Sequence, residues 1–240
     1  MKNRINYFLA GLVVLCFLNV ACSAQEKPKV LIFSKTVEMR HKSIEPGIES
    51  IKKLGAENDF VVHATEDDNE LITTMDNYDV LIFLSTTGNI LTDDQQLKFE
   101  QYIKNGGGFV GIHAASDTEY EWPWYGKMVG AYFSNHPEQQ EATMKVINDE
   151  HPATSFLGKE WRLFEEWYNF RDFNPEIEVL MNLDENSYTG GKNGEHHPIS
   201  WYHDYEGGKV FYTGIGHRVD TFNNPLFLKH ILGGILYAMN

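Results

Sequence analysis

The 240-residue chain contains only two cysteines, Cys16 and Cys22, and both lie within its first two dozen residues. A mature protein that begins after this segment has no cysteine, and therefore no disulfide, no thiol nucleophile and no thiolate metal ligand. The rest of the chain cannot use cysteine-dependent catalysis or a disulfide-stabilised scaffold.

Positive charge is also scarce. The chain has 20 Lys and Arg residues against 34 Asp and Glu residues, which gives a formal net charge of −14. An acidic surface repels phosphate backbones and anionic lipid headgroups. We therefore expect neither a nucleic acid nor an anionic membrane surface as a partner, and we expect most acidic residues to be solvated.

Two classes of binding motif are missing. The three glycines at 106–108 lead into a strand and not into a helix, which argues against a dinucleotide-binding loop. The sequence contains neither HExxH nor a CxxC pair. We therefore predict no cofactor and assign no metal ligands from spacing. The alternative is a divalent-ion site that folding assembles from His and Glu side chains.

The amino-terminal segment has the organisation of a bacterial export signal. A short basic start precedes an apolar stretch at 5–20, and small residues follow it. The apolar stretch is too short for a comfortable membrane span. Two cleavage sites remain open, one that makes Cys22 a lipidated first residue and one after Ala24. On both, residues 1–24 are a signal peptide, and we expect an exported protein that is periplasmic or anchored as an outer-membrane lipoprotein.

The segments that follow alternate between buried strands and helices, and no interior linker interrupts residues 29–240, which we expect to form one domain. This order predicts a parallel α/β sheet with right-handed crossovers and helices on both faces. Short apolar runs predict strands, and the 3.6-residue spacing of apolar side chains predicts helices. The predicted strands are 29–33, 59–65, 78–85 and 108–113, and the predicted helices are 43–54, 69–75 and 92–105.

The second half has the alternating pattern of antiparallel strands. We expect some of these strands to extend the sheet and others to form an antiparallel layer or flap over its active edge. The segment at 114–140 is rich in aromatic residues and too long for a plain connection, so we predict a lid or wall of a site. The strands are predicted at 143–148, 162–170, 177–183, 197–203 and 209–215, and a final amphipathic helix at 225–239.

His113 is the sharpest functional candidate. Ligands of parallel sheets bind beyond the carboxyl ends of the strands. The stretch "GIHAA" at 111–115 places His113 where small neighbours permit the strained turn of a nucleophile elbow. Histidine is a good acid–base group because its pKa lies near neutrality. Asp117 follows as an orienting group, a ligand for a sugar hydroxyl or a helix cap.

Other polar residues fall at predicted strand ends. The stretch "FEEWYNF" predicts that Glu165 and Glu166 face opposite sides of a strand, with Glu166 and Tyr168 on one side. The alternative is that one carboxylate faces solvent. His217 follows two glycines, and His41 follows the first strand. Tryptophans near such groups suit a sugar, which has apolar ring faces to stack on and hydroxyls to bind.

These motifs together resemble the ThuA-like family, named for trehalose utilisation. The resemblance rests on "GGGFVGIHAASDT", "WPWYGKMVGAYFSNHP", "FEEWYNF", "HHPISWYHDYEGGKVFYTGIGH" and "FLKHILGGILYAM". It implies a fold similar to class I glutamine amidotransferases, a flavodoxin-like three-layer α/β/α sandwich, with His113 at the nucleophile position. It implies catalytic residues His113, Glu166, His41 and His217, and substrate-binding residues Arg40, Asp117, His136, Tyr168, His197 and Trp201.

The resemblance also implies a setting in sugar breakdown. We expect an enzyme that acts on a glycoside or 3-keto-glycoside by isomerisation, elimination or hydrolysis. His113 and Glu166 are the expected base and acid, with His41, Arg40 or His217 holding the oxyanion. The alternative is a non-catalytic sugar-binding surface lipoprotein.

Overall fold

The computed structural model describes residues 26–240, so the predicted signal peptide and the lipidation site at Cys22 lie outside the described residues. In chain order the strands are β1 (Lys29–Phe33), β2 (Val61–Thr65), β3 (Val80–Leu84), β4 (Gly108–Ile112), β5 (Tyr132–Asn135), β6 (Gln140–Val146), β7 (Glu160–Glu165), β8 (Asn169–Arg171), β9 (Glu178–Leu183), β10 (Pro198–Tyr205) and β11 (Gly208–Thr213). The α-helices are α1 (Ile44–Glu57), α2 (Asp68–Thr74), α3 (Asp93–Lys104), α4 (Pro123–Val129) and α5 (Pro225–Ala238).

Nine strands form one sheet in the order β2-β1-β3-β4-β11-β10-β9-β6-β7. The strands β2, β1, β3, β4 and β11 run parallel, and the remaining four are antiparallel to their neighbours. This mixed sheet confirms the predicted α/β class. The strand order reverses between β1 and β3, which is the switch point where flavodoxin-like sheets bind ligands.

Helices cover both faces of the parallel half. In the sheet, β2 lies on one side of β1, and β3 and β4 lie on the other side. Right-handed crossovers therefore place α1 on one face of the sheet and α2 and α3 on the opposite face. The final helix α5 contacts α1, β4 and β11. This double cover explains why β3 and β4 are buried along their whole length. None of the helices in residues 26–240 is long and apolar enough to cross a membrane.

The second half differs from the prediction at one strand. The prediction of one continuous strand at 162–170 is wrong, because β7 ends at Glu165 and the next strand, β8, begins only at Asn169. The second piece, β8, pairs with β5 in a separate two-stranded sheet. Residues 166–168 therefore leave the edge of the sheet, and Glu166 lies at the end of β4.

The aromatic segment at 114–140 is packed as a wall. It contains a 3₁₀ turn (His113–Ser116), α4 and β5. Tyr125 is fully buried and donates its hydroxyl to the carbonyl of Ala115 at 2.7 Å. Glu119 accepts the backbone N–H groups of Ile90 and Leu91, both at 2.7 Å, and so ties this segment to the loop after β3.

Candidate functional site

Four side chains meet at the carboxyl edge of the sheet, each from a different connection. His41 lies in the loop between β1 and α1, His113 directly follows β4, Glu166 follows β7, and His217 follows β11. One nitrogen or oxygen atom from each lies within 4.8 Å of the corresponding atoms of the others. The structure thus brings together the four residues that the resemblance implies as catalytic. We call them the His₃Glu cluster.

The turn that presents His113 is strained, as predicted. His113 has a φ of 53°, which is in the left-handed region that non-glycine residues seldom adopt. The turn is fixed by Tyr212 on β11, whose hydroxyl donates to the carbonyl of His113 at 2.7 Å and lies 2.8 Å from Ser116 Oγ. The preceding Gly111 is required because a Cβ there would lie 2.8 Å from Tyr212 Cδ2.

One hydrogen bond sets the orientation of the His113 ring. Its Nδ1 lies 2.9 Å from the carbonyl oxygen of Gly214. A carbonyl only accepts, so Nδ1 carries the proton, and the Nε2 of the neutral ring carries a lone pair. This Nε2 lies 3.5 Å from Glu166 Oε2.

The three imidazole rings surround a common centre. The ring centroids of His41 and His113 are 4.8 Å apart, those of His41 and His217 are 5.2 Å apart, and those of His113 and His217 are 5.3 Å apart. The interplanar angles are 90°, 89° and 77° in the same order. The rings therefore meet edge to face and do not stack.

The electrostatics of the cluster favour a neutral His41 and an ionised Glu166. Burial, with repulsion from His113 and His217, lowers the pKa of His41 to about 3. Burial alone would raise the pKa of Glu166, but His113 and His217 outweigh it and hold that pKa well below its usual range. Burial lowers the pKa of His217, but Glu166 more than offsets burial and leaves it raised. At neutral pH Glu166 is thus an acceptor and not a proton donor.

Glu165 is a residue whose function the sequence did not indicate. Both Glu165 and Glu166 are buried, so the alternative in which one of them faces solvent is wrong. Glu165 Oε1 accepts the backbone N–H groups of Gly216 and Arg218, both at 3.1 Å, on either side of His217. Its Oε2 accepts the hydroxyl of Thr221 at 3.3 Å. Glu165 therefore positions the loop that carries His217.

Three predicted substrate-binding residues surround the cluster. The Tyr168 ring packs on His113 with a centroid distance of 4.3 Å. His136 Nδ1 lies 3.4 Å from Glu166 Oε1, and 43% of its side chain is exposed. Asp117 accepts a hydrogen bond from the Tyr120 hydroxyl. Burial raises the pKa of Asp117, and the hydrogen bond from Tyr120 opposes this effect only in part.

A cleft of about 650 Å³ opens onto two members of the cluster, His41 and His217. Arg40 also lines the cleft, although its guanidinium is paired with Glu45 at 2.7 Å and Glu66 at 2.6 Å. His113 is fully buried and Glu166 nearly so. His41 is nearly as buried as Glu166, whereas 25% of the His217 side chain is exposed. A ligand in the cleft would therefore meet His217 first.

The structure does not bring His197 and Trp201 to the cluster. His197 is fully buried, with Nδ1 2.8 Å from Glu185 Oε1 and Nε2 2.8 Å from the carbonyl of Tyr168. The indole of Trp201 is fully buried and donates to the carbonyl of Val129 at 2.9 Å. Their polar atoms are already bonded inside the protein, which places both in the packing behind the site.

Comparisons with known proteins agree with this fold. The model of the ThuA family, described as trehalose utilisation, matches residues 29–238. A ThuA-like protein from Bacteroides uniformis is 27% identical, with a TM-score of 0.76 over 88% of this chain and 91% of that one. A ThuA-like protein from Parabacteroides merdae is 19% identical, with a TM-score of 0.75 over 89% of this chain and 91% of that one.

A more distant structure supports the fold alone. A GMP synthase protein from Thermoplasma acidophilum is 14% identical, with a TM-score of 0.50 over 88% of this chain and 96% of that one. A search of curated proteins gives no match.

Proposed function

This chain belongs to the ThuA family, and from that membership and its site we propose that it is an enzyme of carbohydrate metabolism that acts on a glycoside or 3-keto-glycoside. The family description indicates a carbohydrate-related role. The observation that supports catalysis is the His₃Glu cluster, in which four titratable groups from four loops converge beside an open cleft. Strained residues and titratable groups that meet at a cleft are typical of active sites.

The proposed chemistry removes a proton beside a ketone, or cleaves the glycosidic bond next to it. Both reactions build negative charge on an oxygen, and this charge needs a preorganised positive or proton-donating environment. We assign that task to the cluster, with His41 and His217 facing the substrate because they line the cleft. Arg40 lies at the same wall and is the proposed contact for a hydroxyl or an oxyanion.

The burial of His113 and Glu166 changes the roles that we assign to them. A general base must come within hydrogen-bond reach of the proton that it removes. His113 is fully buried, so we assign it to shaping the charge of the cluster. We assign proton transfer to Asp117 and His136, which are more accessible than His113. Neither of them lines the cleft, so the substrate would have to extend beyond it towards them. The raised pKa of Asp117 brings this carboxyl closer to neutrality, where proton transfer is most effective.

The cleft has the mixed character that a sugar requires. Met39 and Val219 line it and are 66% and 44% exposed. These apolar side chains suit the apolar face of a pyranose, and the polar groups beside them suit its hydroxyls. Trp167 and Trp201, which were candidates for stacking on a sugar, are fully buried.

The test is incubation of the purified chain with a panel of glycosides and their 3-keto forms, read by mass spectrometry. Hydrolysis adds the mass of water, elimination splits the substrate without water, and isomerisation leaves the mass unchanged while retention time changes. We expect one of these outcomes with at least one 3-keto-glycoside. Saturable binding without any product across the panel would favour the alternative, a non-catalytic sugar-binding protein.

A further inference from the structure

We propose that His41, His113, His217 and Glu166 bind one divalent first-row transition-metal ion through three imidazole nitrogens and one carboxylate oxygen. The catalytic role of this ion rests on the proposed function, but its binding does not.

The spacing of the donor atoms fits a small metal ion. Zinc–nitrogen and zinc–oxygen bonds of about 2.0–2.2 Å place adjacent ligand atoms about 3.3 Å apart in a tetrahedron. Glu166 Oε2 lies 3.5 Å from His113 Nε2 and 3.0 Å from His217 Nδ1. The widest separation, up to 4.8 Å, exceeds this spacing, so binding requires that the side chains draw together.

Hydrogen bonding leaves the cluster incomplete. Within residues 26–240, three buried ring nitrogens make no hydrogen bond of good geometry: His41 Nδ1, His113 Nε2 and His217 Nδ1, although the last two lie 3.5 Å and 3.0 Å from Glu166 Oε2. Buried polar atoms are normally bonded, so each one that is not requires an explanation.

Other buried histidines provide a contrast. His230 is also fully buried, and both of its nitrogens are bonded, Nδ1 to the carbonyl of Ala153 at 2.8 Å and Nε2 to Ser200 Oγ at 3.2 Å. His151 and His203 each leave one buried nitrogen without a partner among the described residues. Neither belongs to a group of side chains that converge on one point. Among residues 26–240, several such nitrogens converge on one point at the His₃Glu cluster alone.

The buried carboxylate of Glu166 attracts a cation. Among the described residues, the basic nitrogens within 4 Å of Glu166 are those of His113, His136 and His217, and no Lys or Arg side chain reaches it. A nearly buried carboxylate is costly unless a positive charge compensates it. A divalent ion at the centre would compensate Glu166 and would be coordinated by all three imidazole rings.

The groups behind the ligands are those of a prepared metal site. Metal-binding histidines usually donate the second ring N–H to a carbonyl or a carboxylate, which fixes the tautomer. His113 does so through Nδ1 to the carbonyl of Gly214. His217 is held between two backbone N–H groups that Glu165 accepts.

The donor set also selects the kind of ion. Imidazole nitrogens favour Zn²⁺, Co²⁺, Ni²⁺ and Fe²⁺, whereas Mg²⁺ and Ca²⁺ prefer sites made of oxygen ligands. His41 and His217 line the cleft, so an additional coordination position on that side would face a substrate. An ion there would act as a Lewis acid toward a carbonyl or hydroxyl oxygen.

The experiment measures metal binding by the purified mature chain without substrate. After removal of metal with EDTA, the chain is titrated with Zn²⁺ in competition with a chromophoric chelator, and with Co²⁺ by visible absorption. We expect one Zn²⁺ per chain, a Co²⁺ spectrum typical of nitrogen and oxygen ligands, and no comparable binding of Mg²⁺. Failure of the wild-type chain to compete with the chelator for Zn²⁺ would overturn the proposal.

Variants assign the site. His217→Ala removes one ligand and Glu166→Gln removes the negative charge of another, and we expect each to weaken Zn²⁺ binding by at least about 100-fold, since loss of an outer contact alone costs 10–100-fold. His196→Ala is the matched control, because His196 is an exposed histidine outside the cluster. Circular dichroism establishes that each variant is folded. Equal Zn²⁺ affinity in folded cluster variants and in the control would overturn the proposal.

The same samples separate this inference from the proposed function. Binding of Zn²⁺ at the cluster without conversion of any sugar would support the metal site and count against the proposed enzyme. Conversion of a sugar by a metal-free chain that does not bind Zn²⁺ would do the reverse.

Discussion

Two adjacent carboxylates show how strongly the role of a residue depends on its immediate contacts. Glu165 accepts two backbone N–H groups and a hydroxyl, whereas Glu166 is surrounded by imidazole nitrogens. The contacts of Glu165 fix a loop, and those of Glu166 create a site of negative charge. Neighbours in sequence thus have a positioning role and a binding role, respectively.

The positioning role of Glu165 can be tested by substitution. Glu165→Ala leaves the N–H groups of Gly216 and Arg218 without their acceptor, so we expect a loss of stability of about 2–4 kcal/mol in urea unfolding. We also expect weaker Zn²⁺ binding, because His217 is no longer held. Glu165→Gln keeps an acceptor oxygen and should restore most of both properties. Equal behaviour of the two variants would contradict the positioning role.

A second prediction concerns His230, which lies far from the cluster in α5. Burial lowers the pKa of His230 to about 4 from an ordinary value of 6.5, and that of its neighbour His151 to about 4 as well. Between these pH values the unfolded chain binds protons that the folded chain does not. Stability is therefore complete above pH 6.5 and falls as the pH drops towards 4, by on the order of 3 kcal/mol for fully buried His230.

The measurement is urea unfolding at several pH values between 4 and 8. In His230→Asn the side chain amide still donates to the carbonyl of Ala153 but does not titrate in this range. We expect a shallower dependence of the unfolding free energy on pH than in the wild type. An unchanged slope would show that His230 does not contribute.

At the scale of elements, the end of β4 depends on its neighbour β11. The Tyr212 hydroxyl bonds both the carbonyl of His113 and Ser116 Oγ. We expect Tyr212→Phe to cost about 1–3 kcal/mol, because these buried groups lose their partner, and to weaken Zn²⁺ binding. Tyr202→Phe is the control, since its hydroxyl bonds Glu178 in a more exposed place. A larger loss in the control would contradict the proposed support of the turn.

The parallel half could be predicted from sequence because its constraints are local. Strands such as β3 and β4 are covered on both faces and therefore appear as continuous apolar runs. The start of α3 was marked by Thr92, whose backbone N–H is accepted by Gln95 Oε1 at 2.9 Å. The turn at His113 was predictable from its small neighbours and from its place at a strand end.

The antiparallel half was less predictable because its strands depend on distant partners. The alternation in "FEEWYNF" continues through residues 166–168, where the ladder is interrupted. The interruption accompanies a tertiary contact of Glu166 with His113, which the local sequence does not reveal. Similarly, no local signal separates His197, which bonds Glu185 in the packing behind the site, from His217, which reaches the cluster.

At the scale of the whole molecule, the sheet assembles the site from both of its halves. The parallel strands β1, β4 and β11 deliver His41, His113 and His217 to one edge, as expected for a sheet of this topology. The antiparallel extension then supplies the carboxylate, Glu166. The parallel half alone would hold three histidines and no anionic ligand.

Export is a further prediction at this scale. Removal of residues 1–24 or 1–21 would expose Gln25 or Cys22 as the first residue of the mature chain. Mass spectrometry of the protein from its native envelope should find one of these ends, with a lipid mass in the second case. A mature protein that retains Met1 and resides in the cytoplasm would contradict the export prediction.

We propose that the His₃Glu cluster is the reacting centre of a carbohydrate enzyme. The rate of conversion of the best 3-keto-glycoside, compared among the wild type, His217→Ala and His196→Ala, tests this proposal. We predict that His217→Ala reduces kcat/KM by at least about 100-fold, the scale of losing one group that stabilises transition-state charge, while His196→Ala matches the wild type. Equal rates in all three folded proteins would contradict the claim.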